Sequence, residues 1–166
     1  MLDKGGSMAL GSNALWGSEP KVRDSLEAAG WRCGRRVEIS HWVDLLGVRG
    51  FKLNAMALRI WEEFGGLEIL SSPVRDPQSS LHIDPVDACI DAGSESQRLA
   101  DAYDVDFSPL GMWSIQYRTW IAESGRVLAV GPGIIWELGK SFPDALHFVV
   151  NGGRPDRVVS GGRRTD

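Results

Sequence analysis

The spacing of apolar residues changes from helical to strand-like in the last third of the chain. The strongest helical stripe lies in residues 52–64, where the apolar positions share one face: Leu53, Met56, Ala57, Ile60, Trp61 and Phe64. Residues 114–121 alternate instead, and Ser124-Gly125 allows a tight reversal into residues 126–130, which predicts a β-hairpin. Helices first, then an antiparallel meander and a closing helix predict an α+β fold.

Capping and breaking residues set the bounds of the other predicted elements. Ser18 and Gly30 predict the start and the end of a first helix at Glu19–Ala29. Asp84-Pro85 predicts the start of another helix, because Asp is a capping residue and Pro suits a first turn. The remaining predictions are a strand at 36–39, a short helix capped by Ser40, strands at 67–70 and 81–83, a helix from Ser94 to Tyr103, a strand at 134–138 and a final helix opened by a capping box of Ser141 and Asp144.

The composition fits one globular domain. A chain of 166 residues with a hydrophobic fraction of 43% is long enough to bury a core of its own. Residues 1–18 are rich in Gly, Ser and Ala and predict a flexible leader, from which Trp16 could still dock on the domain. Residues 153–166 contain Gly, Pro and Arg and predict a flexible tail. The domain itself is therefore expected at 19–152.

Targeting signals and cysteine pairs are missing from the sequence. The N-terminus has neither a basic region nor a continuous apolar stretch, and the apolar runs are too short to span a bilayer. Cys33 and Cys89 form no Cys-x-x-Cys pair, so both are expected to be reduced. We therefore expect a cytoplasmic protein with no membrane association.

Negative charge is concentrated between Asp84 and Asp106, where seven acids and one base give a net charge of −6. A nucleic-acid-binding domain normally carries a basic stripe, so direct nucleic-acid binding is not expected. The acids have two interpretations: solvated helix faces with acids near their N-termini, or a patch that steers a basic protein partner. In the second interpretation, the candidate partner-binding residues are Asp87, Asp91, Asp101, Asp104 and Asp106.

Trp120 is a sixth candidate for partner binding. On the predicted strand it shares a face with Gln116 and Arg118, opposite the apolar face, and an exposed aromatic ring beside Arg is typical of a binding anchor. The alternative is that helices cover both faces of the sheet and bury this ring. Trp61, by contrast, lies on the helical stripe and is expected in the core.

The search for catalytic chemistry is largely negative. The three histidines have no metal-ligand spacing with each other or with cysteine. Gly131-Pro132-Gly133 only begins to resemble a dinucleotide loop, since Trp136 occupies the third glycine position and Pro132 removes an amide. We therefore expect no metal, no cofactor and no enzyme activity. A deep pocket with several converging ionisable groups would instead indicate a small hydrolase.

A series of short motifs between Val22 and Gly152 resembles the third subfamily of the SUKH immunity superfamily. The motifs are Leu26, Ala29-Gly30-Trp31, Gly34-Arg35, Phe64-Gly65-Gly66-Leu67, Asp84-Pro85 with Ala88, Pro109-Leu110-Gly111, Gly125-Arg126-Val127, Leu138-Gly139, and Ser141-Phe142 with Asp144-Ala145-Leu146. One departure is Leu128, where the family usually carries an aromatic residue.

The resemblance implies both a fold and a function. The implied fold is a SUKH-like antiparallel sheet flanked by helices in a single domain. The implied function is immunity, in which a protein that is a monomer when free binds and neutralises a cognate polymorphic toxin, often a nuclease or a deaminase. The alternative is a non-catalytic interaction module in a signalling or cell-wall regulatory complex. The motif residues are expected to hold the fold: Gly30, Trp31, Gly34, Arg35, Gly65, Gly66, Asp84, Pro85 and Gly125. For Arg35, pairing with an internal carboxylate and contacts at a surface both remain open.

Overall fold

A computed structural model describes Trp16 and residues 18–158. Within residues 18–158, five helices surround a seven-stranded antiparallel sheet whose strands are ordered as they occur in the chain. The helices are α1 (Pro20–Ala28), α2 (Ser40–Val48), α3 (Ala55–Phe64), α4 (Glu95–Tyr103) and α5 (Phe142–Asn151), with a 3-10 turn at Asp87–Cys89. The strands are β1 (Glu68–Leu70), β2 (Ser80–His82), β3 (Phe107–Trp113), β4 (Tyr117–Ala122), β5 (Val127–Gly131), β6 (Ile134–Gly139) and β7 (Asp156–Val158). The predicted α+β fold with a flanked antiparallel sheet is confirmed.

Helices cover both faces of the sheet. On one face, α1, α3 and α5 pack over the main core, which contains Trp61 and Phe64. On the other face, α4 covers a smaller cluster of Ala92, Leu99, Phe107, Trp120, Ala122 and Leu128. Successive side chains of β4 alternate between the two clusters, as the pleat of a strand requires. Leu128, the departure from the family pattern, is fully buried in the smaller cluster beside Trp120.

Asn54, the residue that caps α3, also attaches this helix to the sheet. The Asn54 side-chain oxygen accepts a hydrogen bond from the amide of Ala57 at 2.9 Å, which is the N-cap geometry. The same side chain donates to the carbonyl of Ile121 at 2.9 Å. The backbone N–H of Asn54 donates to the Ser108 hydroxyl at 2.8 Å. The helix therefore starts at Ala55 rather than at the predicted Lys52.

Near the N-terminus, two predictions are wrong and a third, the docking of Trp16, is confirmed. Glu19, not Ser18, caps α1, since its carboxylate accepts from the amides of Lys21 and Val22. Residues 36–39 are not a strand, because the Val37 amide donates to the Glu62 carbonyl of α3 at 2.7 Å instead of to a neighbouring strand. Trp16 does dock on the domain: it is buried, with its ring edge-on to those of Phe64 and Phe142.

Strand β3 was not predicted, although it lies between β2 and β4. Proline and glycine normally interrupt strands. A register shift between Pro109 and Gly111 accommodates them in β3. A Cβ at Gly111 would overlap the His82 carbonyl oxygen, so this close approach of β3 to β2 requires glycine. Strand β4 also starts at Tyr117 rather than at Ser114, because Ser114 and Ile115 have φ of +49° and +66° and form the turn.

The acidic segment and the C-terminal residues also depart from the predicted elements. Asp84-Pro85 opens only the 3-10 turn: the Asp84 carboxylate accepts from the amides of Val86 and Asp87, which caps a turn instead of a full helix. Within the predicted flexible tail, Asp156–Val158 forms β7 and pairs with β6. Residues 1–15, 17 and 159–166 lie outside the described residues. None of the helices found in the described residues has the length and apolar character needed to cross a membrane.

Candidate protein-binding surface

Trp31 and Arg35 close the end of α3. The Trp31 ring stacks on Phe64 with 6.4 Å between centroids, and its indole N–H donates to the Glu63 carboxylate at 3.0 Å. The guanidinium of Arg35 donates to the carbonyls of Glu63 and Gly65 at 2.7 and 2.9 Å. These carbonyls belong to the helix end, where α-helices leave acceptors unpaired. Arg35 therefore binds backbone, neither an internal carboxylate nor an exposed surface, and burial lowers the pKa of its guanidinium.

The other motif residues also contact the fold itself. A Cβ at Gly65 would overlap the Trp61 carbonyl oxygen and the Trp42 ring, so glycine lets α2 approach the end of α3. Pro85 is buried, directly after the capping residue Asp84. Four further motif glycines have positive φ: Gly30 at +102°, Gly34 at +77°, Gly66 at +79° and Gly125 at +93°.

Trp120 is fully buried, so the prediction of an exposed binding anchor is wrong. Its ring lies 6.1 Å from that of Phe51, and its indole N–H donates to the carboxylate of Glu95 at 2.7 Å. The physical reason is that α4 covers this face of the sheet, which is the alternative left open by the sequence. The face of β4 with Arg118 and Trp120 is thus a second interior layer rather than a surface.

The structure separates the acids of the segment into buried and exposed groups. Glu95 is buried against the sheet, and the carboxylate of Asp87 is half-exposed, 3.5 Å from His82 Nδ1. The remaining four candidates are exposed: Asp91, Asp101, Asp104 and Asp106. We call Asp87 together with these four residues the acidic surface. Asp91 lies before α4, whereas Asp101, Asp104 and Asp106 lie at or beyond its C-terminal end.

Charge at the C-terminal end of α4 opposes the helix dipole. Asp101 is in the last turn and Asp104 is the C-cap residue, at φ +55°, where a negative charge meets the negative end of the helix. Among the described residues, no basic side chain forms a salt bridge with Asp101, Asp104 or Asp106. The interpretation of these acids as favourable N-terminal charges therefore does not apply to this end of α4.

An ion pair fixes the start of α4 to the sheet. Arg118 of β4 donates to both carboxylate oxygens of Glu95, with the shortest contact at 3.0 Å, and to the carbonyl of Ile90 at 3.3 Å. Hydrogen bonding to Glu95 raises the pKa of the Arg118 guanidinium. Sequence reasoning missed this pair because Glu95 was counted with the surface acids. The available signal was that Arg118 and Trp120 share a strand face, where two donors need a buried acceptor.

A cation–π contact holds the other end of α4. The Arg126 Nε donates to the Glu137 carboxylate at 2.6 Å, and the Arg126 guanidinium lies over the Tyr103 ring, 4.8 Å from its centroid. Burial raises the pKa of the Tyr103 hydroxyl. Because Tyr103 ends α4, both ends of this helix are attached to the sheet; of the acidic surface, Asp101 lies on the helix and Asp104 is its C-cap. We call the Glu95–Arg118 ion pair and the Tyr103–Arg126 cation–π contact the two anchoring pairs.

The described residues contain no group of three or more His, Cys, Asp or Glu side chains that could hold a metal ion.

Comparison with known proteins gives one finding. The family model described as SUKH-3 immunity protein matches residues 18–152. No curated protein and no solved structure gives a significant match to the chain. The match covers most of the sequence and spans the whole described sheet except β7, so this chain belongs to the SUKH-3 immunity protein family.

Proposed function

We propose that this protein is an immunity protein that binds a cognate toxin domain in the cytoplasm and neutralises it without catalysis. Membership of an immunity-protein family supports the immunity function. The toxin we expect is a nuclease or a deaminase, because enzymes that act on nucleic acid carry basic surfaces for the phosphate backbone. The acidic surface would bind such a basic region and keep nucleic acid from it.

The observation that carries this proposal is the set of exposed acids at the C-terminal end of α4. Asp101 and Asp104 lie where the helix dipole is unfavourable for negative charge, so the charge of these side chains does not stabilise the end of the helix. Charges that raise the energy of the free protein are expected where a partner of opposite charge relieves the cost on binding. A basic toxin surface is such a partner, and the acids would also accelerate its association.

The anchoring pairs support the same proposal. They hold α4 at both ends, so the backbone that carries Asp101 and Asp104 is in a fixed position before the toxin arrives. Fixed positions reduce the side-chain and backbone entropy lost on binding. A charged surface on a helix tied to the sheet is therefore a better binding element than the same charges on a mobile loop.

Co-expression with the product of the adjacent gene tests the function directly. We expect rescue from the toxicity of that product and a complex that purifies intact. A variant with Asp91→Asn, Asp101→Asn and Asp104→Asn should associate about tenfold more slowly at low ionic strength, since steering charges act on the association rate. Asparagine is the chosen replacement because it tolerates the positive φ of Asp91 and Asp104.

The matched control carries Asp24→Asn, Glu68→Gln and Asp156→Asn. These three acids are exposed and lie on α1, β1 and β7, outside the segment from Asp87 to Asp106 that contains the acidic surface, and their neutralisation changes the net charge equally. We expect the control to associate like the unmodified protein. If both variants associate with the toxin equally slowly, only the net charge of the protein matters. If the first variant associates as fast as the unmodified protein, the acidic surface has no part in binding. Neither rescue nor a complex would favour an interaction module with another partner.

A further inference from the structure

Helix α2 exposes apolar side chains that a surface helix normally buries. The helix has one acid, Asp44, and no lysine or arginine, and Leu46 is its fully buried residue. Leu45 and Val48 lie three residues apart on one face, and Val48 is 89% exposed. In the acidic segment, Ile90 is also 56% exposed, directly before Asp91. Exposed aliphatic side chains close to one another are typical of protein-binding surfaces.

A chain of contacts joins the end of α2 to Ile90. The Phe51 amide donates to the Leu46 carbonyl at 3.1 Å, so the loop after Val48 folds back on the helix. The Phe51 ring packs on Trp120, and Trp120 shares a face of β4 with Arg118, which donates to the Ile90 carbonyl. The charge of Arg49 also acts on Cys89, the neighbour of Ile90, and opposes the rise that burial causes in the pKa of this thiol. The loop directly after Val48 and the residues directly after Ile90 therefore both reach the smaller cluster, through Phe51 and Ala92.

We infer that Val48 and Ile90 form the apolar centre of the toxin-binding surface, with the acidic surface as its charged rim. This inference rests on the proposed function and names the partner's complementary surface: an apolar patch bordered by lysine and arginine. Arg49 and Lys52 interrupt the negative charge on the α2 side. The basic border of the toxin therefore faces the α4 side, where Asp91 adjoins Ile90.

The apolar centre and the charged rim have different kinetic roles. Exposed charges at the edge of an interface act mainly on the association rate, whereas desolvated apolar side chains at its centre act mainly on the dissociation rate. Loss of Val48 and Ile90 should therefore shorten the lifetime of the complex and leave its formation rate nearly unchanged. This pattern is the opposite of that expected for neutralisation of the acids.

The chain offers a closely matched pair of variants for this test. The test variant carries Val48→Asn and Ile90→Asn. The control carries Val74→Asn and Ile115→Asn, at a valine and an isoleucine that are 78% and 80% exposed in other loops. Binding of both to the purified product of the adjacent gene is followed by surface plasmon resonance, and the thermal unfolding of each variant is recorded beside it. All four side chains are exposed, so both variants are expected to fold.

We expect the test variant to dissociate about tenfold faster, with the control unchanged. Equal dissociation rates for the two variants, with a normal complex for the unmodified protein, would overturn the inference and leave the proposed function intact. Absence of any complex with the unmodified protein would overturn both. A dimer of this protein in solution that the test variant alone dissociates would also overturn the inference, because a second copy would then cover Val48 and Ile90.

Discussion

Neutralising two acids at the end of α4 should stabilise the free protein while weakening its complex. The double variant Asp101→Asn with Asp104→Asn removes negative charge from the last turn and the C-cap, where the helix dipole is itself negative. The local geometry is preserved. The amide oxygen introduced at position 101 would accept from Gln97 as the Asp101 carboxylate does at 2.8 Å, and asparagine tolerates the φ of +55° at position 104.

The expected gain follows from the dipole interaction. One charge in the last turn of a helix contributes about 0.3–1 kcal/mol at low ionic strength, and exposure of both side chains favours the lower half of this range. The two replacements together should therefore raise the free energy of unfolding by about 1 kcal/mol. For a chain of this size, such a gain raises Tm by about 2–4 °C. At 1 M salt, where the Debye length is about 3 Å, most of the gain should disappear.

The assay is thermal unfolding at low and high salt, followed by calorimetry. Asp144→Asn is the control, because Asp144 is exposed in the first turn of α5, where a negative charge is favourable. The same chemical change should therefore lower Tm at position 144 and raise it at positions 101 and 104. A double variant that is no more stable than the unmodified protein would refute the claim that these acids cost folding energy, and with it the observation that carries the proposed function.

Two further predictions concern interactions inside the fold. Glu95→Gln leaves Arg118 partly buried without a carboxylate partner, and it should lower the free energy of unfolding by about 2 kcal/mol in chemical denaturation; a change below about 0.5 kcal/mol would contradict the anchoring role. Hydrogen bonds from Asn151 and from the start of α1 lower the pKa of Glu19, so its stabilising contribution is present at neutral pH and is lost as the pH falls through this lowered pKa. Glu19→Gln should remove this part of the pH dependence of stability. If the stability of both proteins falls equally as the pH is lowered, Glu19 makes no such contribution.

The parts of the fold that local patterns specify were predictable from the sequence. The stripe from Met56 to Phe64 predicted α3 because a helix buries one face, and that face lies against the sheet. Alternation and the Ser124-Gly125 turn predicted the β4–β5 hairpin for a similar reason. In both cases, residues close together in the sequence determine the structure, and tertiary contacts only select which face is buried.

The parts that depend on distant contacts were not predictable in the same way. The first five residues of β3 are buried, so the strand shows no alternation, and Pro109 further disguises it. Glu95 looks like a surface acid because its partner Arg118 lies 23 residues away on another element. Whether Trp120 is exposed depends on where the acidic segment lies in the fold. This segment crosses the second face of the sheet, and no local sequence pattern indicates that path.

The acidic segment is set apart from the residues that hold the main core. The family motifs around Trp31, Arg35 and Gly65 join α1, α2 and α3 to each other and to the main core, so changes there would disturb the folding of the whole domain. The segment between β2 and β3 instead contributes to a separate, smaller cluster and is held by the two anchoring pairs. Its exposed residues make few contacts that the fold requires. Charge and apolar content can therefore change on this surface, and with them the preferred partner, at little cost to the core.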